Sequence, residues 1–397
     1  MLPQRQIQGY TQAGGGVSQI HLLNSFYIRY MLLNYIDAAL NVNLASHQDE
    51  NSHSVNHSTA KFCGFWLRRP DDQRETVMGK AYSALCRLAL AAALTLGIGT
   101  AHAAEKPVRI GYQKYGTLLL LKESGKLDEQ LKAQGIAVEW REFPGGPQLL
   151  EALNVGALDF GITGEAPPIF AQAAGAPFVY VGVEPPAPKG EAILVPKDSP
   201  LKSVADLKGK KVALNKGSNV HYLLVKALEE AGLTYADIQP TYLAPADARA
   251  AFEQGSVDAW VIWDPYYAAA AAATQARVLV DGVRADGSNL VANHQFYLAE
   301  RGFNEARPQV VQTILTGLKD IDAASKGDQK AVAQRLSPQI GIPAPVLEVA
   351  LARMGYGIQP ITPEVIAAQQ KIADTFYQLG LIPKPIKVSD AIPGSKS

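Results

Sequence analysis

The chain has 397 residues, 47% of them hydrophobic, and its 37 basic side chains balance 37 acidic ones. That is enough apolar material for the cores of one to three domains. Zero formal charge removes any broad electrostatic case for nucleic acid or an anionic membrane as partner.

Both cysteines and five of the seven histidines fall before residue 104. Residues 1–77 differ in composition from the rest, and 43–59 (NLASHQDENSHSVNHST) is polar, His- and Asn-containing and without periodicity. His47, His53 and His57 offer metal-ligand chemistry there, but the composition reads instead as a non-native or disordered extension upstream of a start at Met78. From Met78 a short basic segment leads into the apolar run 88–98 (LALAAALTLGI) and the small-x-small site Ala101-His102-Ala103. This is the pattern of a secretory signal peptide over 78–103, too short to span a bilayer. Cleavage is expected after Ala103, leaving an exported, cysteine-free, near-neutral chain.

The exported part opens on a strand at 108–111, a turn at 112–117 and a helix from Leu118 to about Gly125. Residues 136–143 (IAVEWREF) alternate as a strand. The turn 144–147 (PGGP) places Pro147 at the first position of a helix that stops at Gly156. A strand at 158–162, a turn at 163–168 and a helix at 169–174 follow. The second half repeats this plan. Strand 212–214 (VAL) meets the polar turn 215–219 (NKGSN), and apolar residues at helical spacing run from Val220 to Ala231 before Gly232. A strand at 240–243, a helix entry at 244–247, a strand through 257–262 and a helix from Pro265 complete the copy. At constant offset, 154–159 (NVGALD) falls on 253–258 (EQGSVD), and 163–167 (TGEAP) on 262–266 (IWDPY).

Alternating strands and helices at this spacing predict two similar doubly wound α/β lobes, with parallel sheets covered on both faces. Two crossings, 184–190 and 289–297, divide the chain into lobe 1 (104–191 plus 296–397) and lobe 2 (192–295). Helices are expected at 307–324, 329–336, 345–353 and 363–379, and a Pro/Lys-rich tail from 382 wraps the surface.

Ligands of such sheets bind outside the carboxyl ends of the strands. The loops there are 113–117, 144–148 and 163–167 in one lobe, and 215–219, 244–247 and 262–266 in the other. The turn 215–219 leaves free N–H groups at a helix start, which makes an anion nest, although an ordinary capped connection reads the same way. Catalytic and phosphate-loop signatures are missing: no G-x-S-x-G, H-E-x-x-H or exported cysteine, and Lys216-Gly217-Ser218 lacks the Walker spacing. His221 and His294 do not form a zinc set, so neither metal nor cofactor is expected. Trp263 and Tyr266, beside the cleft, can shield an apolar ligand tail. Trp260 reads as core, Asp264 first as a helix cap and second as a ligand contact, and Glu165 as a helix-start acid.

These residues resemble the periplasmic aliphatic sulfonate-binding proteins of ABC importers, on the type II periplasmic binding fold. The resemblance is carried by 110–122 (IGYQKYGTLLLLK), the run 143–177 around GEAPP, 217–224 (GSNVHYLL), 263–269 (WDPYYAA) and 293–299 (NHQFYLA). It implies capture of an alkanesulfonate in the periplasm, without catalysis, by a monomer that delivers it to a membrane permease and its ATPase. It implies a sulfonate head near Gly217, Ser218, Asn219 and His221, faced by Gln113, Thr117, Gly164 and Glu165, with the tail against Trp263 and Tyr266 and Asp264 nearby. Taurine, nitrate or a thiamine-precursor pyrimidine are alternative ligands on the same fold, and a desulfinase-like enzyme is the alternative of another class.

Overall fold

The computed structural model describes residues 105–114 and 116–395. The extension 1–77, the signal peptide and the expected cleavage point lie outside the described residues. What is described is two five-stranded sheets, each built from the βαβ units legible in the sequence.

In the first lobe, β1 (Val108–Tyr112), β2 (Val138–Glu142), β3 (Phe160–Gly164) and β4 (Phe178–Val183) alternate with α1 (Thr117–Ser124), α2 (Lys126–Lys132), α3 (Gly146–Asn154) and α4 (Pro167–Ala173). The second lobe holds β5 (Glu191–Val195), β6 (Lys211–Leu214), α5 (Asn219–Glu230), β7 (Gln239–Tyr242), α6 (Pro245–Glu253), β8 (Ala259–Trp263), α7 (Tyr266–Thr274) and β9 (Arg277–Asp281). The chain returns through β10 (Gln295–Glu300) and ends in α8 (Arg301–Ala306), α9 (Pro308–Gly327), α10 (Gln329–Ile340), α11 (Ala344–Leu351) and α12 (Pro363–Gln378). Strand orders are β2-β1-β3-β10-β4 and β7-β6-β8-β5-β9. The two sheets are therefore the same pattern twice.

The duplication has a chemical signature. Asp159 accepts the Arg109 N–H at 2.8 Å, and Asp258 accepts the Lys211 N–H at 2.8 Å. Each aspartate also donates its own N–H back to the same partner's carbonyl at 2.9 Å. In both copies the preceding helix ends at a left-handed glycine, Gly156 with φ 70° and Gly255 with φ 69°, where a side chain would be strained. The aligned motif thus locks β3 to β1 in the first lobe and β8 to β6 in the second.

The sheets are mixed rather than parallel, a correction to the sequence expectation. β10 runs antiparallel to β3 and β4, and β5 antiparallel to β8 and β9. Each is the strand by which the chain arrives from the other lobe, so it enters its sheet from the opposite end. Strands β4 and β9, unmarked in the sequence reading, are edge strands held by those arrivals. Glu191 pairs in the second sheet and Gln295 in the first.

Apolar side chains fill both faces of each sheet. Val108, Ile110, Leu118, Leu121, Phe160 and Ile314 pack on one face of the first, and Leu149, Leu153, Ile169, Leu298 and Phe376 on the other. Val212, Leu223 and Val261 oppose Trp260, Phe252 and Ile262 across the second. Each fully buried side chain of this kind contributes about 1.5–3 kcal/mol. The tail is anchored rather than loose, with Ile382, Val388 and Ala391 buried and the Lys387 carbonyl accepting from Gln172 at 2.6 Å. No helix of the described residues is long and apolar enough to cross a membrane.

Candidate functional site

A cleft opens between the sheets at the carboxyl ends of their parallel strands. Gln113, Gly146, Ile162, Gly164 and Pro167 line it from the first lobe, and Ser218, Asn219 and Trp263 from the second. Gly190, Asn293 and Gln295 come from the crossings. Among the described residues, no lining side chain is acidic or basic.

The turn 215–219 leads into α5 at the edge of the cleft, where Ser218 and Asn219 line it. Val212 to Leu214 is buried strand, and the turn that follows needs Gly217 at φ 76°, with Phe170 packed beside it. Ser218 occupies the N-cap of α5 but makes no side-chain cap; its hydroxyl donates to the Asn215 carbonyl at 2.7 Å. The backbone N–H groups of Asn219 and Val220 have no acceptor among the described residues. The helix dipole adds partial positive charge at this point. Asn215 Nδ2, buried and without a partner, lies close to Gly145 of the opposite lobe. An uncompensated buried donor of this kind costs free energy until an acceptor reaches it.

His221 does not reach the cleft. It is fully buried, stacked on Phe170 and tilted against Tyr235 and Phe376. Its Nδ1 accepts the Gly217 N–H at 3.2 Å, which fixes the turn and places the ring proton on Nε2. Burial, reinforced by Lys216, pushes its pKa down to about 4, so the ring is neutral.

Asn219 binds the lobes together. Its Oδ1 accepts the Ala166 N–H at 3.1 Å at the start of α4, and its Nδ2 donates to Asn293 Oδ1 at 2.6 Å. This approach is why residue 164 is glycine: a Cβ there would stand 2.1 Å from Asn219 Oδ1. Asn293, which adopts φ 52°, also donates from Nδ2 to the Ala187 carbonyl at 2.9 Å, tying the two crossings to each other.

Glu165 and Thr117 face inward rather than toward the cleft. The Glu165 carboxylate accepts the N–H groups of Asn293 at 3.2 Å and His294 at 3.0 Å, gripping the second crossing. Burial raises its pKa against those two bonds. The Thr117 hydroxyl donates to Asp322 at 2.7 Å inside the first lobe. Gln113 does line the cleft, with its Nε2 donating to the Ile162 carbonyl at 3.1 Å.

Asp264 is fully buried and accepts from the Ala268 N–H at 3.1 Å, but the N-cap of α7 is Pro265, so Asp264 stands one residue before the cap position expected of it. Its second partner lies in the other lobe: Arg353 Nε sits 2.9 Å from Oδ2, and the guanidinium lies 4.0 Å from the centre of the Tyr267 ring. Burial still holds the Asp264 pKa up at about 7. Trp263 faces the cleft with its indole end near Gly145, and Tyr266 meets it edge-on at 6.4 Å without lining the cleft.

Beneath the cleft, Glu191 starts β5 fully buried, and neither carboxylate oxygen has a partner. Burial, and then the charge of Glu165, hold its pKa well above the ordinary range. No group of three or more His, Cys, Asp or Glu side chains among the described residues could hold a metal ion.

The sequence reading missed Gly146 within its own loop 144–148, and it missed Gly190, Asn293 and Gln295 altogether as site residues. The cause is the mixed topology. Only loops after parallel strands were expected at the cleft, yet β5 and β10 run backwards and bring their starting ends to the same edge. Loop 244–247, counted as a cleft loop, supplies no lining residue. Asn293 was legible only as part of the NHQFYLA motif.

The NMT1/THI5-like family matches residues 131–330. The chain is 48% identical over 313 residues to an Escherichia coli (strain K12) protein named as aliphatic sulfonates-binding, covering 78% of this chain and 96% of that one. A Bacillus subtilis (strain 168) protein of the same name is 34% identical, covering 73% and 87%. Among solved structures, the alkanesulfonate-binding protein SsuA from Xanthomonas axonopodis pv. citri bound to MOPS is similar with TM-score 0.68 and 44% identity, covering 74% of this chain and 99% of that one. The desulfurization enzyme DSZB, 18% identical with TM-score 0.51 over 72% and 97% of the two chains, shares the fold alone. By its sequence over most of its length and by its fold, the chain belongs to the family of aliphatic sulfonate-binding proteins of ABC importers.

Proposed function

We propose that this protein captures alkanesulfonates in the periplasm, closes its lobes over them and delivers them to the permease of an ABC importer, without chemical turnover. One observation carries the reading: the uncapped start of α5, with the Asn219 and Val220 N–H groups free, opens into an uncharged cleft walled by the Trp263 indole. A sulfonate is a monoanion at all ordinary pH values. Neutral donors and a helix dipole suffice to hold it, and no buried arginine is needed. Binding without turnover is supported by the relatives, which are named as binding proteins.

The head sits at Ser218, Asn219 and the free Asn215 amide, with Gln113, Gly164, Asn293 and Gln295 closing over it and Trp263 beside the carbon chain. Gly217, His221, Glu165 and Asp264 hold this arrangement from behind. Calorimetric titration of the purified protein with methane-, ethane- and butanesulfonate, taurine, sulfate and nitrate, in buffer free of sulfonates, tests the reading. Simple alkanesulfonates are expected to bind most tightly; nitrate or sulfate binding in their place would overturn it.

A further inference from the structure

His221 stays behind the cleft, but it stands where the two lobes meet the turn that leads into α5. Its ring lies in an aromatic box with walls from both lobes. From the first lobe, Phe170 of α4 stacks on it at 6.2 Å and Phe376 of α12 tilts against it at 5.6 Å. From the second, Tyr235 lies at 5.1 Å and Tyr242 of β7 at 6.3 Å. The turn is pressed against the same wall, with the Cβ position of Gly217 3.5 Å from the Phe170 ring.

This box fits one protonation state. The ring Nδ1 accepts the Gly217 N–H, and the buried Nε2 has no partner among the described residues. A second proton would sit on Nδ1, set two donors against each other and break the bond that shapes the turn. No carboxylate among the described residues acts on the ring to offset that loss. The walls bring Phe170, Phe376 and two tyrosines whose hydroxyls bond each other at 3.2 Å, and Lys216 adds a like charge. Burial, and then Lys216, push the ring's pKa down to about 4. Parting the lobes takes Phe170 and Phe376 away and lets water reach the ring, which restores its ordinary value of 6.5.

We propose that His221 is a positioning residue that couples ligand capture to the loss of a proton: closure of the lobes strips the ring of a proton to solvent, and acid restores it, loosens the turn before α5 and releases the ligand. The proposal rests on the reading of the cleft as a sulfonate site that closes. A sulfonate does not titrate in this range, so the coupling belongs to the protein. By reciprocity, the ligand weakens proton binding at His221 by the factor by which the proton weakens ligand binding. Affinity is therefore full above pH 6.5 and falls as pH drops below it, by about 30-fold at pH 5.

The test compares calorimetric titrations of the wild type and His221→Asn with methanesulfonate at pH 7.5 and pH 5. The Asn Oδ1 can accept the Gly217 N–H but takes no proton in this range, and buried carboxyls such as Asp264 titrate alike in both proteins. The ratio of wild-type to variant dissociation constants is expected to rise about 30-fold from the higher pH to the lower. Beyond residue 104 only His221 and His294 are histidines, so imidazole resonances give a second readout. Without ligand, the resonance missing from the variant should titrate near 6.5, the ordinary value. With saturating methanesulfonate it should stay neutral down to pH 5. A ratio that is equal at both pH values, or a His221 titration that ligand leaves unmoved, overturns the coupling. Absence of methanesulfonate binding to the wild type at pH 7.5 would instead overturn the reading of the cleft. If His221→Asn does not fold, the wild type decides alone: the coupling fails if neither imidazole changes its titration on saturation.

Discussion

Gly164 shows how closely single residues are matched across the cleft. The Asn219 amide fills the space where its side chain would be, and from there it caps α4 and holds Asn293. Gly164→Ala must push Asn219 out of that position. Methanesulfonate affinity is expected to fall by about 10–100-fold, or roughly 1.4–2.8 kcal/mol, while circular dichroism stays unchanged; calorimetry checks the first and the spectrum the second. At this scale the sequence was half legible. Gln113, Gly164, Ser218, Asn219 and Trp263 line the cleft as expected of cleft-loop residues, whereas Thr117, Glu165, His221 and Asp264 turn inward. A sequence gives a residue's place on a loop, but the side of the loop it faces is set by partners distant in the chain. Asp322 claims Thr117 from 205 positions away, and Arg353 claims Asp264 from 89.

The two crossing segments are the elements that most distinguish this structure from its sequence reading. They are short, their ends are buried, and they concentrate carboxylates that the fold keeps out of water. Glu184, at the end of β4, is fully buried, accepts the Tyr297 hydroxyl at 2.5 Å and has its pKa pushed up to about 8. A carboxyl whose folded pKa lies above its ordinary value of 4.5 binds its proton more tightly in the native state. The contribution is therefore fully present below pH 4.5 and is lost as pH rises toward about 8. Glu184→Gln keeps the shape and removes the titration. Its melting temperature is expected to exceed the wild type's by several degrees at pH 8, at roughly 2–4 °C per kcal/mol, and to converge with it near pH 4.5; equal differences at both pH values would exclude the buried charge as cause. No sequence pattern announces such a group. The duplication, by contrast, was readable from a six-residue alignment, because Asp159 and Asp258 each need the same two backbone bonds to the neighbouring parallel strand, β1 or β6.

At the scale of the whole molecule, two lobes were legible because βαβ units repeat. What closes the lobes was not, since the contacts pair residues 53 and 89 positions apart that no local pattern links. Asn219 reaches Ala166 on one side of the cleft, and Arg353 reaches Asp264 on the other. Both bonds require apposed lobes, so a ligand that bridges the same gap favours the state in which they form. Arg353 is mostly buried, and removing it leaves the Asp264 carboxyl in an apolar seam without its counter-charge, a loss that for buried pairs reaches about 3–5 kcal/mol. With 17% of the Arg353 side chain still exposed, the lower part of that range or less applies. Saturation with methanesulfonate at a hundred times its dissociation constant should stabilise the wild type by about 2.7 kcal/mol, and small-angle scattering should record a smaller radius of gyration. Arg353→Met is expected to bind more weakly, to melt earlier and to keep a larger radius at equal ligand concentration. Adding Asp264→Asn should recover part of the stability, because the orphaned acid is then gone. A radius that does not change on saturation, in either protein, would show that the lobes are already apposed without ligand, and the Asp264–Arg353 pair would then be a static strut between them.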